Sequence, residues 1–201
     1  MKLITHQQEA SVAAEVLAKT YANAPNINWM FAQTPGNLRY FFGMLVEDAM
    51  HKKGAYLTSD HCGVLLFHES KATNFSLSSI FKKLYVIIFI TGIKRAIQIV
   101  KLNRLKAKYR PGAGYYGSVL GIMQHKYQWE TTFELKKEFS MLSKKVEQPI
   151  YLETTDPRIF SLYKKIGFSK YHEMKHPYTN LMIYFMKKDK VSVNEHRKRS
   201  S

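Results

Sequence analysis

The second half of this 201-residue chain alternates strand, helix and strand, and that order restricts the fold more than any other feature. Tyr115–Met123 is an apolar, strand-like run, Glu130–Val146 carries apolar residues at helical spacing, and Ile150–Thr155 is a second compact strand. Two strands joined through a helix run parallel, with a right-handed crossover. The sequence therefore predicts a parallel strand pair at the centre of an α/β fold.

The remaining segments predict antiparallel strands and covering helices. Together they give a mixed, mostly antiparallel central sheet flanked by helices, in one domain over residues 1–189 with a disordered basic tail over residues 190–201. A Pro/Asn-rich break is expected at Ala24–Asn28. The predicted helices are 8–22, Asn37–Lys52 and Pro157–Ile166, and the predicted strands are Ala55–Ser59, Gly63–His68, Phe168–Met174 and Leu181–Lys187.

Residues 76–110 form a basic helical insert, predicted as two helices that meet near Gly92. Its longest apolar run, Leu84–Ile93, is half the length of about 20 residues that a spanning helix needs. Residues 82–110 contain no acid, although the chain as a whole carries a net charge of +16. The insert has three interpretations: a lid with a basic rim over an acceptor site, which we favour, a contact with an anionic membrane surface, or a nucleic-acid contact. No helix-turn-helix or similar module supports specific nucleic-acid recognition.

The single cysteine, Cys62, excludes an internal disulfide and favours a reducing compartment. The first residues lack the charged start and apolar core of a secretory signal, so a cytoplasmic location is expected. The histidines show no metal-type spacing, and no glycine-rich nucleotide-binding motif is present. We therefore expect no metal site.

Pro149–Glu173 resembles the C-terminal half of the GNAT superfamily of N-acetyltransferases. Members of that family read as a strand, a short helix and the pattern L-Y-x-x-x-G-F, which matches Leu162, Tyr163, Gly167 and Phe168 here. The segment from Tyr115 into the following helix resembles the central strand, pyrophosphate loop and helix of the same family. The resemblance implies a GNAT acyltransferase fold in which residues 76–110 are an insert.

The resemblance also implies a binding site for coenzyme A. The strand end at Leu120, Gly121 and Ile122 would present backbone groups to the pantetheine arm, and Asp156 replaces the family's asparagine as N-cap of the short helix. A helix N-terminus favours an anion, so the loop before the preceding helix would hold the pyrophosphate. The residues in that loop are Gln128, Trp129, Glu130, Thr131, Thr132 and Phe133.

By the same resemblance, Tyr163 is the proton donor to the departing thiolate of coenzyme A. A general base must also remove a proton from the acceptor ammonium, and Glu153 and His125 are candidates by residue type, with a water chain as the alternative. The backbone N–H near Ile122 would stabilise the oxyanion.

Our first hypothesis is therefore transfer of an acetyl group from acetyl-CoA to a primary amine of a small molecule or peptide, by direct attack in a ternary complex. Because the loop Gln128–Phe133 contains no glycine, the second hypothesis is a binding or regulatory protein of the same fold that no longer uses coenzyme A. A third, a basic protein associated with membranes or nucleic acid, rests on charge. The apolar C-terminal strands also make a homodimer an expectation.

Overall fold

The structure is a computed structural model that describes residues 1–30, 35–69, 85–110, 114–123, 128–145 and 148–189. Within these residues, seven strands form one sheet in the order β1-β2-β3-β4-β5-β7-β6. The strands are β1 Lys2–Leu3, β2 Ala55–Leu57, β3 Gly63–Glu69, β4 Tyr115–Ile122, β5 Ile150–Thr154, β6 Ser169–Lys175 and β7 Met182–Lys188.

The helices cover this sheet on both faces. They are α1 Gln7–Tyr21, α2 Pro25–Met30, α3 Pro35–His51, a π-helical segment Val86–Thr91, α4 Ile93–Ala107, α5 Gln128–Lys145 and α6 Pro157–Lys165. Helix α6 begins where the carboxylate of Asp156 accepts a hydrogen bond from the Arg158 N–H and Pro157 fixes the first turn. Gly167, at a φ of 94°, turns the chain into β6.

The predicted fold class is confirmed. β4 and β5 are parallel, while the other described strand pairs are antiparallel. The helix α5 connects the parallel pair, as the strand–helix–strand order requires.

One local expectation was wrong, and one short strand was not predicted. The predicted break at Ala24–Asn28 is the start of α2, because Pro25 occupies a first-turn position and the Ala24 carbonyl accepts hydrogen bonds from Ile27 and Asn28. The sheet also has a strand that the sequence pattern did not indicate. Lys2 and Leu3 pair with Leu57 and Tyr56 and extend the sheet beyond the hairpin.

Three apolar clusters hold the layers together. The largest lies between α1, α3 and the strands β2 and β3, with Leu17, Phe42, Val46 and Val64 almost fully buried. A second lies on the α5 and α6 side and includes Leu135, Phe139, Leu152 and Tyr163. The third joins Leu102 of α4 to Ile183 and Phe185 of β7.

The described part of the insert has the predicted two-helix form. Gly92, at a φ of 77°, separates the π-helical segment from α4. Residues 76–84 of the insert and the predicted tail, 190–201, lie outside the described residues. Among the helices that are described, none is long and apolar enough to cross a membrane.

Candidate active site

The parallel strands β4 and β5 are paired only at their beginnings. Their register runs from Tyr115 opposite Ile150 to Gly117 opposite Leu152. Beyond that point, β4 continues to Ile122 alongside β3 and β5 continues to Thr154 alongside β7, without pairing to each other. We call the space beside the unpaired part of β4 the β4–β5 gap.

Backbone groups of β4 point into this gap. The Met123 N–H donates to the Cys62 carbonyl at 2.8 Å. Gly63 and Ile122, the facing residues just inside that bond, are therefore a non-hydrogen-bonded pair of the antiparallel ladder. By the alternation of an antiparallel ladder, Leu120 opposite Leu65 is a second such pair. The N–H and C=O groups of Leu120 and Ile122 therefore face away from β3, towards the β4–β5 gap.

Tyr21, at the end of α1, reaches the same gap. Its hydroxyl donates to the Leu120 carbonyl at 2.8 Å. Helix α1 can lie this close because Gly121 has no side chain: a Cβ there would lie 2.5 Å from Leu17 Cδ2. Burial raises the pKa of Tyr21 to about 12. Tyr21 was not among the predicted site residues, since 99 positions separate it from Leu120 and no local pattern links the two.

Tyr163, the predicted proton donor, projects inward from α6. Its side chain is 7% exposed and packs on Phe168 with ring centroids 5.6 Å apart. Burial is the main cause that raises the pKa of Tyr163, and the charge of Tyr21 raises it further. The hydroxyl of Tyr163 is therefore fully protonated at neutral pH. Leu120 and Ile122 pack against the apolar cluster that contains Tyr163, and Tyr163 is in the protonation state that a donor needs.

Asp156 contributes a negative charge next to these groups. It caps α6 by accepting from the Arg158 N–H at 2.8 Å. Burial acts to raise the pKa of Asp156, but its hydrogen bonds from Arg158 outweigh that effect and lower it. Asp156 follows the end of β5, the strand that borders the β4–β5 gap, and its charge also contributes to the raised pKa of Tyr21.

Glu153, a predicted general base, is held by two cations from the insert. Lys106 forms a salt bridge with one carboxylate oxygen, and Arg110 Nε donates to the other at 2.5 Å. Burial would raise the pKa of Glu153, but Lys106 and Arg110 outweigh it and the pKa is lowered. These contacts favour a structural role that fastens α4 to β5, and they disfavour proton abstraction by Glu153. The other candidate base, His125, lies outside the described residues.

The first turns of α5 carry the residues predicted to meet the pyrophosphate. Trp129 and Phe133 are 68% and 65% exposed, respectively, and they lie one turn apart on the helix. Glu130 is also exposed, Thr132 is half-buried, and the side chain of Gln128 is not among those described. We call Trp129–Phe133 the aromatic turn. Trp129, Thr132, Phe133 and Lys136 line a shallow depression on its surface.

Thr131 faces the other way, into the protein. It is fully buried and its hydroxyl donates to the Asp60 carboxylate in the β2–β3 turn. One turn later, the Glu134 carboxylate accepts from the Ser59 N–H at 3.0 Å. The side chain of Thr131 therefore fixes α5 on the hairpin. Only its backbone N–H, one of the first four of the helix, is left for a group bound at the N-terminus of α5.

A second group that the sequence analysis missed is the Tyr116 hydroxyl. Among the described side chains, it is the buried polar atom without a hydrogen-bond partner. The ring lies 5.7 Å below the Arg110 guanidinium carbon and 5.6 Å from the Tyr151 ring. Burial raises the pKa of Tyr116 to about 12, so it is a neutral donor that a ligand can use.

The described residues contain no group of three or more His, Cys, Asp or Glu side chains that would hold a metal ion. The groups at the β4–β5 gap are backbone N–H and C=O groups, the phenols of Tyr21 and Tyr163, and the carboxylate of Asp156. Such groups can align an extended amide chain, stabilise an oxyanion and supply a proton.

Comparison with known proteins supports this fold by structure and not by sequence. No family model and no curated protein sequence matches the chain. Among solved structures, a protein of Corynebacterium glutamicum described as histone acetyltransferase HPA2 and related acetyltransferase has a TM-score of 0.64 at 18% identity, over 94% of this chain and 96% of its own.

Two further neighbours share the fold. Arylalkylamine N-acetyltransferase 2 from Aedes aegypti has a TM-score of 0.61 at 14% identity, over 94% of this chain and 98% of its own. The C-terminal condensation domain of Ebony, in complex with beta-alanyl-dopamine, has a TM-score of 0.60 at 9% identity, over 92% of this chain and 96% of its own. At these identities the likeness establishes the fold.

Proposed function

Because the chain has the fold of the GNAT N-acetyltransferases, we propose that it transfers an acetyl group from acetyl-CoA to a primary amine. The observation that carries the proposal is the β4–β5 gap: the backbone groups of Leu120 and Ile122 face it, and the side chains of both residues pack on the apolar cluster that contains Tyr163. A pantetheine arm contains amide groups that can pair with such a strand end.

Each residue of the gap then has a role in the reaction. The Ile122 N–H stabilises the negative oxygen that forms when the amine attacks the thioester carbon. Tyr163 gives its proton to the thiolate as the carbon–sulfur bond breaks. The raised pKa of Tyr163 keeps that proton in place until the thiolate forms next to it. The proton from the acceptor ammonium leaves through water or through His125.

Arylalkylamines are the first acceptor class to test. One structural neighbour is named an arylalkylamine N-acetyltransferase and a second holds beta-alanyl-dopamine. A panel of arylalkylamines, polyamines and lysine peptides, assayed for thiol release and for acetylated product by mass spectrometry, tests the proposal. Thiol release and an acetylated amine are expected with wild-type protein. Absence of both with every amine and acetyl-CoA would contradict it.

The second candidate function is a protein of this fold that does not use coenzyme A. Two observations favour it: the aromatic turn has no glycine and exposes two large rings, and a neighbour of the same fold is a condensation domain. Mass spectrometry of the purified protein separates the two candidates, since bound coenzyme A would exclude the second. The cytoplasmic location and the homodimer stay predictions.

A further inference from the structure

Helix α4 is fixed on the sheet by its inner face. Ala96 and Leu102 are buried, and Lys106 at the end of the helix forms the salt bridge with Glu153. On the same side, the Arg95 guanidinium carbon lies 5.1 Å from the centre of the Trp29 ring. These contacts determine which residues of α4 face outward.

The outward face carries an apolar stripe. Ile93, Ile97 and Val100 are 69%, 52% and 48% exposed, respectively. At 100° per residue, their side chains lie within about 60° of one another around the helix. A stripe of β-branched aliphatic side chains on an otherwise well-packed helix leaves apolar surface in water, which is a mark of an interaction site.

Basic residues border and continue this stripe: Lys94 and Lys101 lie along one side of it, and Arg104 lies in line with it, one turn beyond Val100. Lys94, Lys101 and Arg104 are exposed, and none of them forms a salt bridge with a carboxylate among the described residues. No acidic residue occurs between positions 85 and 110, and the chain carries a net charge of +16. The face therefore presents an apolar centre and a positive margin together.

We propose that this face of α4 docks on an anionic lipid bilayer, with the apolar stripe in the headgroup–acyl boundary and the cations on acidic headgroups. The combination favours lipid over nucleic acid, because phosphate contacts need only the cations, while the aliphatic side chains need an apolar phase. Helix α4 would lie in the plane of the membrane surface. Its 15 residues are too few to cross the bilayer.

The test is sedimentation of the full chain with vesicles of phosphatidylcholine alone and of a roughly two-to-one mixture of phosphatidylcholine and phosphatidylserine. Wild-type protein should bind the mixed vesicles, bind the neutral ones weakly, and lose affinity as salt increases. The variant Ile93→Gln/Ile97→Gln/Val100→Gln should bind at least about tenfold more weakly. Glutamine is a good helix former, so this variant should keep the fold.

The charge variant is Lys94→Gln/Lys101→Gln/Arg104→Gln, which should reduce binding by about fivefold per residue and about 100-fold in total. Its matched control is Lys137→Gln/Lys165→Gln/Lys175→Gln, which removes the same charge from exposed positions elsewhere and should change binding by less than about fivefold.

Four outcomes would overturn the proposal. The first is that wild-type protein does not sediment with anionic vesicles. The second is that Ile93→Gln/Ile97→Gln/Val100→Gln binds as well as wild type, and the third is that the control loses as much binding as the charge variant. The fourth is binding to duplex DNA with equal affinity and the same dependence on both variants, which would assign the face to nucleic acid. Vesicle binding does not depend on acetyl transfer, so its result is independent of the proposed activity.

Discussion

The β4–β5 gap and the aromatic turn are built in contrasting ways, although both belong to the candidate site. The gap is lined by buried groups, with Tyr21 on the Leu120 carbonyl and Tyr163 at 7% exposure. The aromatic turn exposes Trp129 and Phe133 and contains no glycine. The part of the site that would hold the reacting thioester is thus preorganised, while the part that would hold the pyrophosphate presents two exposed aromatic rings.

The largest expected effect is on the reaction itself. Tyr163→Phe should lower kcat for acetyl transfer by about 100- to 1,000-fold, because the thiolate would leave without a positioned acid. The KM for acetyl-CoA should change little, since the ring and its packing on Phe168 remain. Steady-state kinetics that follow thiol release measure both constants.

The matched control is Tyr171→Phe, which removes a hydroxyl from β6 and should leave kcat near the wild-type value. A Tyr163→Phe enzyme with unchanged kcat would contradict the assigned role and leave the gap as a packing feature only.

Glu153→Gln distinguishes a structural carboxylate from a catalytic base. Removal of the charge leaves Lys106 and Arg110 without their partner, and the free energy of unfolding should fall by about 3 kcal/mol. Because the pKa of Glu153 is lowered in the folded protein, its stabilising contribution is present above the ordinary value of 4.5 and is lost as the pH falls below it.

Urea denaturation of wild type and Glu153→Gln between pH 7 and about pH 3 measures this: the difference in stability should be constant well above pH 4.5 and should shrink steadily below it. If Glu153 is instead the base, the variant would keep its stability and lose kcat, which would reverse our interpretation.

Gly121→Ala tests how the gap is assembled. The added Cβ would lie 2.5 Å from Leu17 Cδ2, so the buried Leu17 side chain must repack or α1 must move away from β4, and the free energy of unfolding should fall by about 1–3 kcal/mol. The displacement should also lengthen the Tyr21–Leu120 hydrogen bond.

Gly43→Ala is the matched control. Gly43 lies in α3 and also faces α1, but an added Cβ would lie at an ordinary contact distance of 3.9 Å from the Ala14 Cβ. The helix should gain up to about 1 kcal/mol from that change. Denaturant titrations measure both changes in the free energy of unfolding. If the two changes had the same sign, the close approach of α1 to β4 would be contradicted.

The smallest effect is expected at the aromatic turn. Trp129→Ala and Phe133→Ala should each change the free energy of unfolding by no more than about 0.5 kcal/mol, because both rings are mostly in solvent. If a ring stacks on the adenine of acetyl-CoA, its removal should weaken that ligand about tenfold and leave S-acetylpantetheine, which lacks the adenine, unaffected. Calorimetric titration with both ligands measures the difference.

The sequence predicted those features that are local in the chain. The parallel pair followed from the strand–helix–strand order, and the short helix that starts at Pro157 followed from its cap Asp156 and the closing Gly167. The contacts that define the gap are not local. The Tyr21–Leu120 bond spans 99 positions and the Arg110–Glu153 bond spans 43.

Such pairs depend on how helices pack on the sheet, which periodicity does not encode. The same limit explains α2, where Pro25 indicates either a break or a first helical turn, and only the hydrogen bonds to the Ala24 carbonyl decide between them. It also explains why Glu153 was predicted as a base. Its residue type is compatible with that role, and the sequence around it does not indicate its two partners, Lys106 and Arg110, which come from the insert.

The most direct test of the central claim is a calorimetric competition between acetyl-CoA and S-acetylpantetheine for the wild-type protein. We predict that both bind, that each displaces the other, and that the adenosine and phosphate groups add less affinity than the shared thioester arm in the β4–β5 gap. Absence of binding by either ligand at millimolar concentration would contradict the assignment of the gap as the acetyl-CoA site.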